Sequence, residues 1–392
     1  MKYFASYPLN FWKLCLACLI FFSSFTMVLP DLPVLLNQIG GKSYNWLIIP
    51  VFSAIALLTR PLSGKFSDTA GRIFVMATGA LITTLACMFY IFIPFVFLFF
   101  ANRAFHGFCA GFTPTGFTAY ADDIVPVHKR GEAMGIVGIC NNIGNALGWV
   151  IGSKCTNEFG LQTMFIVAAH LGLISFFMFM TLDESLVNKQ KFSLKLFRLK
   201  RSELFEKRVL MPGVILLLTA FSSGAILALI ADFTNHIGIK NKGMYMAIYI
   251  ASSLLIRFMA GRWSDRYGRK IVAVIGAFFL GLSMLILAYT GEIWMYTLSS
   301  VLFGVGFGLI SPSLFAWAVD LSLPGLKGKA VGTLFIFLEL GVIFGASFTG
   351  LLYNNRPENF PAAFMVSSAL AFLPILLLLR KSKYALLPVE KL

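Results

Sequence analysis

The chain has 392 residues, 58% of them hydrophobic and 12% charged, with a mean hydropathy of +0.82 and a formal net charge of +15. Soluble domains carry about 25% charged residues, so a water-soluble globular protein is excluded. The basic excess would suit a nucleic-acid partner, but its cations cluster as membrane topology requires, and no nucleic-acid role is expected.

Runs of about 20 apolar residues can cross a bilayer as helices. Lipid leaves no water to satisfy exposed backbone groups, which favours helices further. Twelve spans are expected, over residues 11–36, 45–63, 73–93, 95–121, 133–154, 161–182, 209–236, 243–261, 271–290, 293–320, 329–353 and 360–379. The alternating segments of about ten residues that mark a membrane barrel do not occur. The fold class is therefore an all-α integral membrane protein. The first run is too long for a signal-peptide core and lacks a small-residue cleavage site, so it reads as a retained helix. Of the 32 Lys and Arg residues, 24 fall on the side that carries both termini, three lie within spans, and five lie opposite: Lys42, Lys154, Lys240, Lys242 and Arg356. Positive residues mark cytoplasmic loops, so both termini are expected in the cytoplasm.

In chain order, Asp31 comes first, in "LPDLP" at the outer end of the first span. Flanking Pro30 and Pro33 free backbone carbonyls there, which suits a cavity lining. Asp31 could bind substrate, carry protons, or face an outer vestibule. Between the second and third spans stands "GKFSDTAGR", Gly64 to Arg72, and 197 positions later "GRWSDRYGR" begins at Gly261. The same ungapped shift aligns Arg60 with Arg257, Asp68 with Asp265, Gly71 and Arg72 with Gly268 and Arg269, and Asp123 with Asp320. It also aligns Gly144 and Gly148 with Gly341 and Gly345. The chain is thus a parallel repeat: an N-terminal six-helix bundle over 1–182, a linker over 183–208, and a C-terminal bundle over 209–392. Within the linker, "KFSLKLFRLKRSELFEKR" has the pattern of an amphipathic helix lying on an anionic leaflet.

Two intramembrane charges stand out. Arg103 lies eight residues into its span, about 12 Å deep, and Glu339 lies ten residues after Lys329, about 15 Å deep. Such groups normally face a cavity or a partner. Glu339 is a candidate for proton coupling or for binding a cationic substrate, and its repeat mate Asn142 could hydrogen-bond substrate from the facing half. Asp123 and Asp320 end the fourth and tenth spans, within reach of Arg60 and Arg257 for gate ion pairs. The six cysteines lie mostly inside spans and read as small apolar filler. No metal-ligand spacing, nucleophile–base pairing or Walker motif is present, so neither an enzyme, a metal centre nor another cofactor is expected.

The duplicated Gly-x-x-x-Asp-x-x-Gly-Arg, set in two six-span halves with a central basic loop, resembles the signature of the major facilitator superfamily. The style is similar to bacterial drug- and sugar-efflux permeases. The resemblance implies two bundles related by a pseudo-twofold axis and moving by alternating access. It makes Gly64, Asp68, Gly71 and Arg72, with Gly261, Asp265, Gly268 and Arg269, a cytoplasmic gate. Asp68 would latch onto the start of the eleventh span near Lys329, and Asp265 onto the fifth near Glu132. Gly64 would permit close helix approach, and Gly71 a tight turn. "NRAFHGFCAGF" resembles the Arg-x-x-x-Gly motif of proton-coupled members, with His106 where Gln is common; Arg103 and His106 are candidates for proton coupling or the substrate cavity, His106 alternatively a hydrogen-bonded structural residue. "GNALGWVIG" resembles the small-residue motif of exporters, with Gly144, Gly148 and Gly152 for packing and Trp149 where Pro is usual.

The expected function is proton-driven export of a small organic compound across a bacterial inner membrane by a single chain. Uptake or facilitated passage of a sugar or organic acid is the alternative. A non-transporting sensor or scaffold is a third reading.

Overall fold

The computed structural model describes residues 7–126, 129–186, 206–323 and 327–379. The expected amphipathic helix of the linker falls largely on 187–205, outside the described residues. The first half comprises α1 (Leu9–Met27), α2 (Leu32–Gln38), α3 (Ile48–Thr69), α4 (Arg72–Tyr90), α5 (Val96–Ile124), α6 (Arg130–Phe159) and α7 (Leu161–Met180). The second comprises α8 (Leu210–His236), α9 (Met244–Tyr267), α10 (Arg269–Ala288), α11 (Ile293–Leu321), α12 (Lys327–Tyr353) and α13 (Phe360–Leu379). No strand is present among the described residues.

The first span is broken into α1 and α2 by a 3₁₀ turn, Leu29–Asp31. Pro30 and Pro33 cannot donate backbone hydrogen bonds, which is the physical cause of the break. Ten helical stretches are long and apolar enough to cross a membrane, and an eleventh if α9, bent by 50° around residue 258, counts as one span. The remaining long helix, α5, carries Asn102, Arg103 and His106, all buried, in a stretch that otherwise has spanning length.

Each half packs in the same way. α1 lies on α6 and α7, α3 on α5, and α4 on α5 and α7. In the second half α8 lies on α12 and α13, α9 on α11, and α10 on α11 and α13. The sequence repeat is therefore a repeat of helix partners. Close packing rests on the small-residue stripe of α6. Added methyl groups at Gly144, Gly148 and Gly152 would run into backbone atoms of α1 at Leu19, Ser23 and Met27. In the second half Gly341 and Gly345 lie in the same way against α8 at Leu217 and Phe221. Membrane helices have no hydrophobic drive toward one another and rely on such contact. Gly152→Val is therefore expected to lose most folded protein, read as the monodisperse fraction after detergent extraction, because backbone cannot yield as a flexible side chain can.

The repeated motif begins inside helices. α3 runs on to Thr69 and α9 to Tyr267, so Gly64, Asp68, Gly261 and Asp265 occupy final helical turns. The chain then reverses at Gly71, φ 130°, and Gly268, φ 94°. Residues with a Cβ rarely adopt those angles, which explains glycine at both positions.

Candidate functional site

A cavity of about 330 Å³ lies between the halves. Its walls include Phe22, Phe25, Phe52 and Trp149 from the first half and Tyr249 and Phe303 from the second. Its charged lining residues are Arg60, Arg103 and Glu339, and Asn142 and Asn145 add amides. An apolar, aromatic wall with few convergent polar groups is the usual character of a small-molecule site.

Arg60 and Glu339 meet across the halves: Arg60 Nη2 donates to Glu339 Oε1 at 2.8 Å. The guanidinium also lies 4.8 Å from the centre of the Phe335 ring, one turn along α12 from Glu339. This differs from the expected pairing of Arg60 with Asp123. Arg60 sits eight residues before Asp68 on α3, about 12 Å deeper than the helix end. Asp123 is instead reached by Arg72, whose Nε donates at 3.0 Å, and Asp320 by Arg269 at 2.9 Å. Arg257 turns to Ser253, whose hydroxyl lies 3.3 Å from its Nε.

The gate residues form two equivalent clusters, each within one half. Arg72 bridges Asp68 and Asp123, and Arg269 bridges Asp265 and Asp320. Glu184 accepts from the Arg72 backbone N–H at 2.9 Å, and Ser185 donates to Asp123, which ties the end of the first half to the same face. The Asp68 side chain is 73% exposed and held by Arg72, so it does not reach α12 in this conformation. Gly64 and Gly261 do not serve close approach here either. A methyl group at either, or at Gly135 or Gly332, would meet nothing within 4 Å. Among the described residues the halves stand apart at these four glycines.

They meet on the opposite face. Lys242 Nζ binds Asp31 Oδ1 at 2.5 Å, and Asp31 is 1% exposed. The Lys242 backbone N–H donates to Ser153 at 2.9 Å, Asn241 to the Val150 carbonyl at 3.2 Å, and Asn157 to the Lys240 carbonyl at 2.8 Å. Gly243 abuts the backbone of Trp149. On the other flank Asn45 donates to Asn355, and Asn355 to the Lys42 carbonyl. Gly350 abuts Trp46. Asp31 thus belongs to this seal and is not among the cavity's lining residues.

Arg103 is fully buried. Its Nε donates to the Ile48 carbonyl at 2.9 Å and its guanidinium lies 4.2 Å from the Phe52 ring centre; the Tyr90 hydroxyl stands beside the guanidinium, but neither terminal nitrogen makes a well-formed hydrogen bond. His106 is equally buried, but neither ring nitrogen has a hydrogen-bond partner, contrary to its reading as a hydrogen-bonded structural residue. Phe25, Phe52 and Tyr90 enclose it at ring separations of about 6 Å. Asn142 donates to the Gly138 carbonyl one turn back and keeps its place in the cavity wall.

Sequence reasoning missed Lys242, Ser153 and Asn355 in the seal. One signal was present: Lys42, Lys154, Lys240 and Lys242 are rare cations on the side where few cations fall. Among the described residues no cluster of His, Cys, Asp and Glu could hold a metal ion.

Known proteins resemble the chain over most of its length. It is 25% identical over 338 residues to the multi-drug resistance efflux pump PmrA of Streptococcus pneumoniae, covering 82% of this chain and 84% of that one. It is 23% identical over 347 residues to the multidrug resistance protein MdtG of Salmonella typhi, covering 84% and 85%. Among solved structures, a point mutant of the nucleoside transporter NupG superposes with a TM-score of 0.79 at 16% identity over 94% of this chain and 98% of that one. The family model described as Major Facilitator Superfamily matches residues 14–241 and again 213–390. With the repeated helix partners, the duplicated gate clusters and a cavity between two halves, this makes the chain a multi-pass membrane transporter belonging to the major facilitator superfamily.

Proposed function

We propose that the protein exports a small amphipathic organic compound from the cytoplasm in exchange for protons. The observation that carries this reading is the Arg60–Glu339 ion pair, which joins the two halves at the wall of the central cavity. A proton on Glu339 abolishes that charge–charge attraction and leaves Arg60 to be satisfied by water or substrate. Coupling between proton, substrate and the separation of the halves then follows from one carboxyl group. The bias of Lys and Arg assigns the gate-cluster face to the cytoplasm, with both termini, in a bacterial inner membrane. The resting conformation is then open to the cytoplasm and sealed outside by Asp31–Lys242. One chain holds the complete pathway over 1–182 and 209–392, joined by 183–208, and works as a monomer. Efflux is favoured over uptake because PmrA and MdtG are named for multidrug efflux or resistance. Proton-coupled uptake is the second reading, favoured by Trp149, which leaves α6 without the proline of exporters.

The test follows a pH-sensitive dye in energised everted vesicles during addition of drugs and metabolites. Wild type is expected to release protons with some compounds, and Glu339→Gln at equal expression to release none. Release unchanged in the variant would remove Glu339 from coupling. No release with any compound would put uptake or uniport first.

A further inference from the structure

Resting on the transporter reading, we infer that the cavity is built for an amphipathic organic anion, whose acid group is taken by Arg103, and not for a lipophilic cation. The lining holds three formal charges: Arg60, Arg103 and Glu339. Two of them cancel in the 2.8 Å ion pair between Arg60 and Glu339. The third has no counter-charge, since Arg103 forms no ion pair among the described residues. Asp31, a buried carboxylate of the same half, is committed to Lys242 and does not line the cavity.

A buried, unpaired guanidinium is costly, and the ring of Phe52 offsets part of that cost by its π-face. The rest is left for a ligand. The Ile48 carbonyl fixes the guanidinium through Nε, while the two terminal nitrogens, beside the neutral hydroxyl of Tyr90, make no well-formed hydrogen bond and meet no anion among the described residues. Those two nitrogens form the fork that receives a carboxylate through parallel hydrogen bonds. A cationic ligand meets the reverse situation. The one carboxylate in the wall is already held by Arg60, so binding to it must strip Arg60 of its partner beside an uncompensated Arg103. Phe22, Phe25, Trp149 and Phe303 supply the surface for an apolar body, and about 330 Å³ accommodates an acid of one or two rings.

The test uses three probes of one shape and different charge: naphthoate, naphthylmethanol and naphthylmethylammonium. Their dissociation constants are measured on the purified full chain in detergent by equilibrium dialysis near neutral pH. Naphthoate is expected to bind at least about tenfold tighter than the ammonium probe. Arg103→Gln is expected to bring that ratio close to one, and Arg103→Lys to retain most of it. A merely structural Arg103 would weaken all three probes together and leave their ratio unchanged, which overturns the inference. A tighter ammonium probe, or no binding by any probe, overturns it equally. Movement of naphthoate into everted vesicles is scored separately. Charge-selective binding without movement keeps the anion site and counts against transport, so the two failures are distinguishable.

Discussion

Lys242→Met is expected to turn the resting molecule from open at the gate-cluster face to open at the opposite face. The reason is a charge left without its partner. Asp31 is 1% exposed, and Lys242 Nζ is the group that binds its Oδ1, while Oδ2 has no partner. Removing one member of a buried ion pair costs about 3–5 kcal/mol, because the survivor stays buried and charged. That cost falls on the sealed conformation alone, since separation of the halves lets water reach Asp31. At about 1.4 kcal/mol per factor of ten, the conformational equilibrium moves by about 100-fold or more. Asp31→Asn is expected to move it less. The lysine lies at the edge of the seal, 16% exposed, and its long stem can carry the ammonium to water. The double variant Asp31→Asn, Lys242→Met removes both members of the pair, with Lys42 still acting on nearby Asp232, and is expected to return toward wild type, a non-additivity that neighbours in one ion pair should show. Spin labels on cysteines introduced at Lys154 and Lys240, both exposed on that face, report the separation once the native cysteines are replaced. An unchanged distance in folded Lys242→Met would mean that the pair does not bias the equilibrium.

The contrast between Asp31 and Glu339 shows what the sequence can carry. Both were visible as acids in apolar surroundings, and each had to find a partner. The partners were not visible, because each lies in the other half of the chain: Lys242 is 211 positions from Asp31, and Arg60 is 279 positions from Glu339. The repeat places residues within a half and is silent on how the halves meet. It even suggested the wrong partner for Arg60, since Asp123 recurs with it at the same shift. Depth decided the matter: Arg72, at the helix end, is level with Asp123, and Arg60 is not. What depends on one half was legible. The reversals at Gly71 and Gly268 demand angles that only glycine adopts readily, and the stripe of Gly144, Gly148 and Gly152 lies against α1 because small residues are what membrane helices pack with. His106 escaped for a different reason: its aromatic cage is built from α1, α3 and α4, and no local pattern announces it.

Gly64→Leu is expected to leave the protein folded and to stop its turnover. Gly152 and Gly64, both inside helices, represent two different physical situations. At Gly152 a methyl group runs into backbone, so the residue is needed in the conformation seen here. At Gly64 and Gly332 a methyl group meets nothing within 4 Å, so nothing in this conformation requires glycine. Their positions supply the requirement. α3 and α12 run antiparallel and touch where Arg60 meets Glu339 and Phe335. One turn beyond that contact, toward the gate-cluster face, α3 presents Gly64 and α12 presents Gly332. Gly261 and Gly135 occupy the equivalent places on α9 and α6 and are equally unobstructed. When the halves close on this face, the glycines let the helices meet. A leucine there would have to be accommodated between two backbones, and overpacking of about 3 kcal/mol or more would depopulate the closed state by about 100-fold. The expected result is a yield and melting temperature near wild type, with substrate movement in vesicles reduced by about that factor. Gly332→Leu should do the same, and the double variant should be little worse than either, because one closure is already blocked. Normal turnover in Gly64→Leu would mean that α3 and α12 do not close at this level. The open space around Gly64 would then be a permanent part of the pathway, not the mark of one of its two states.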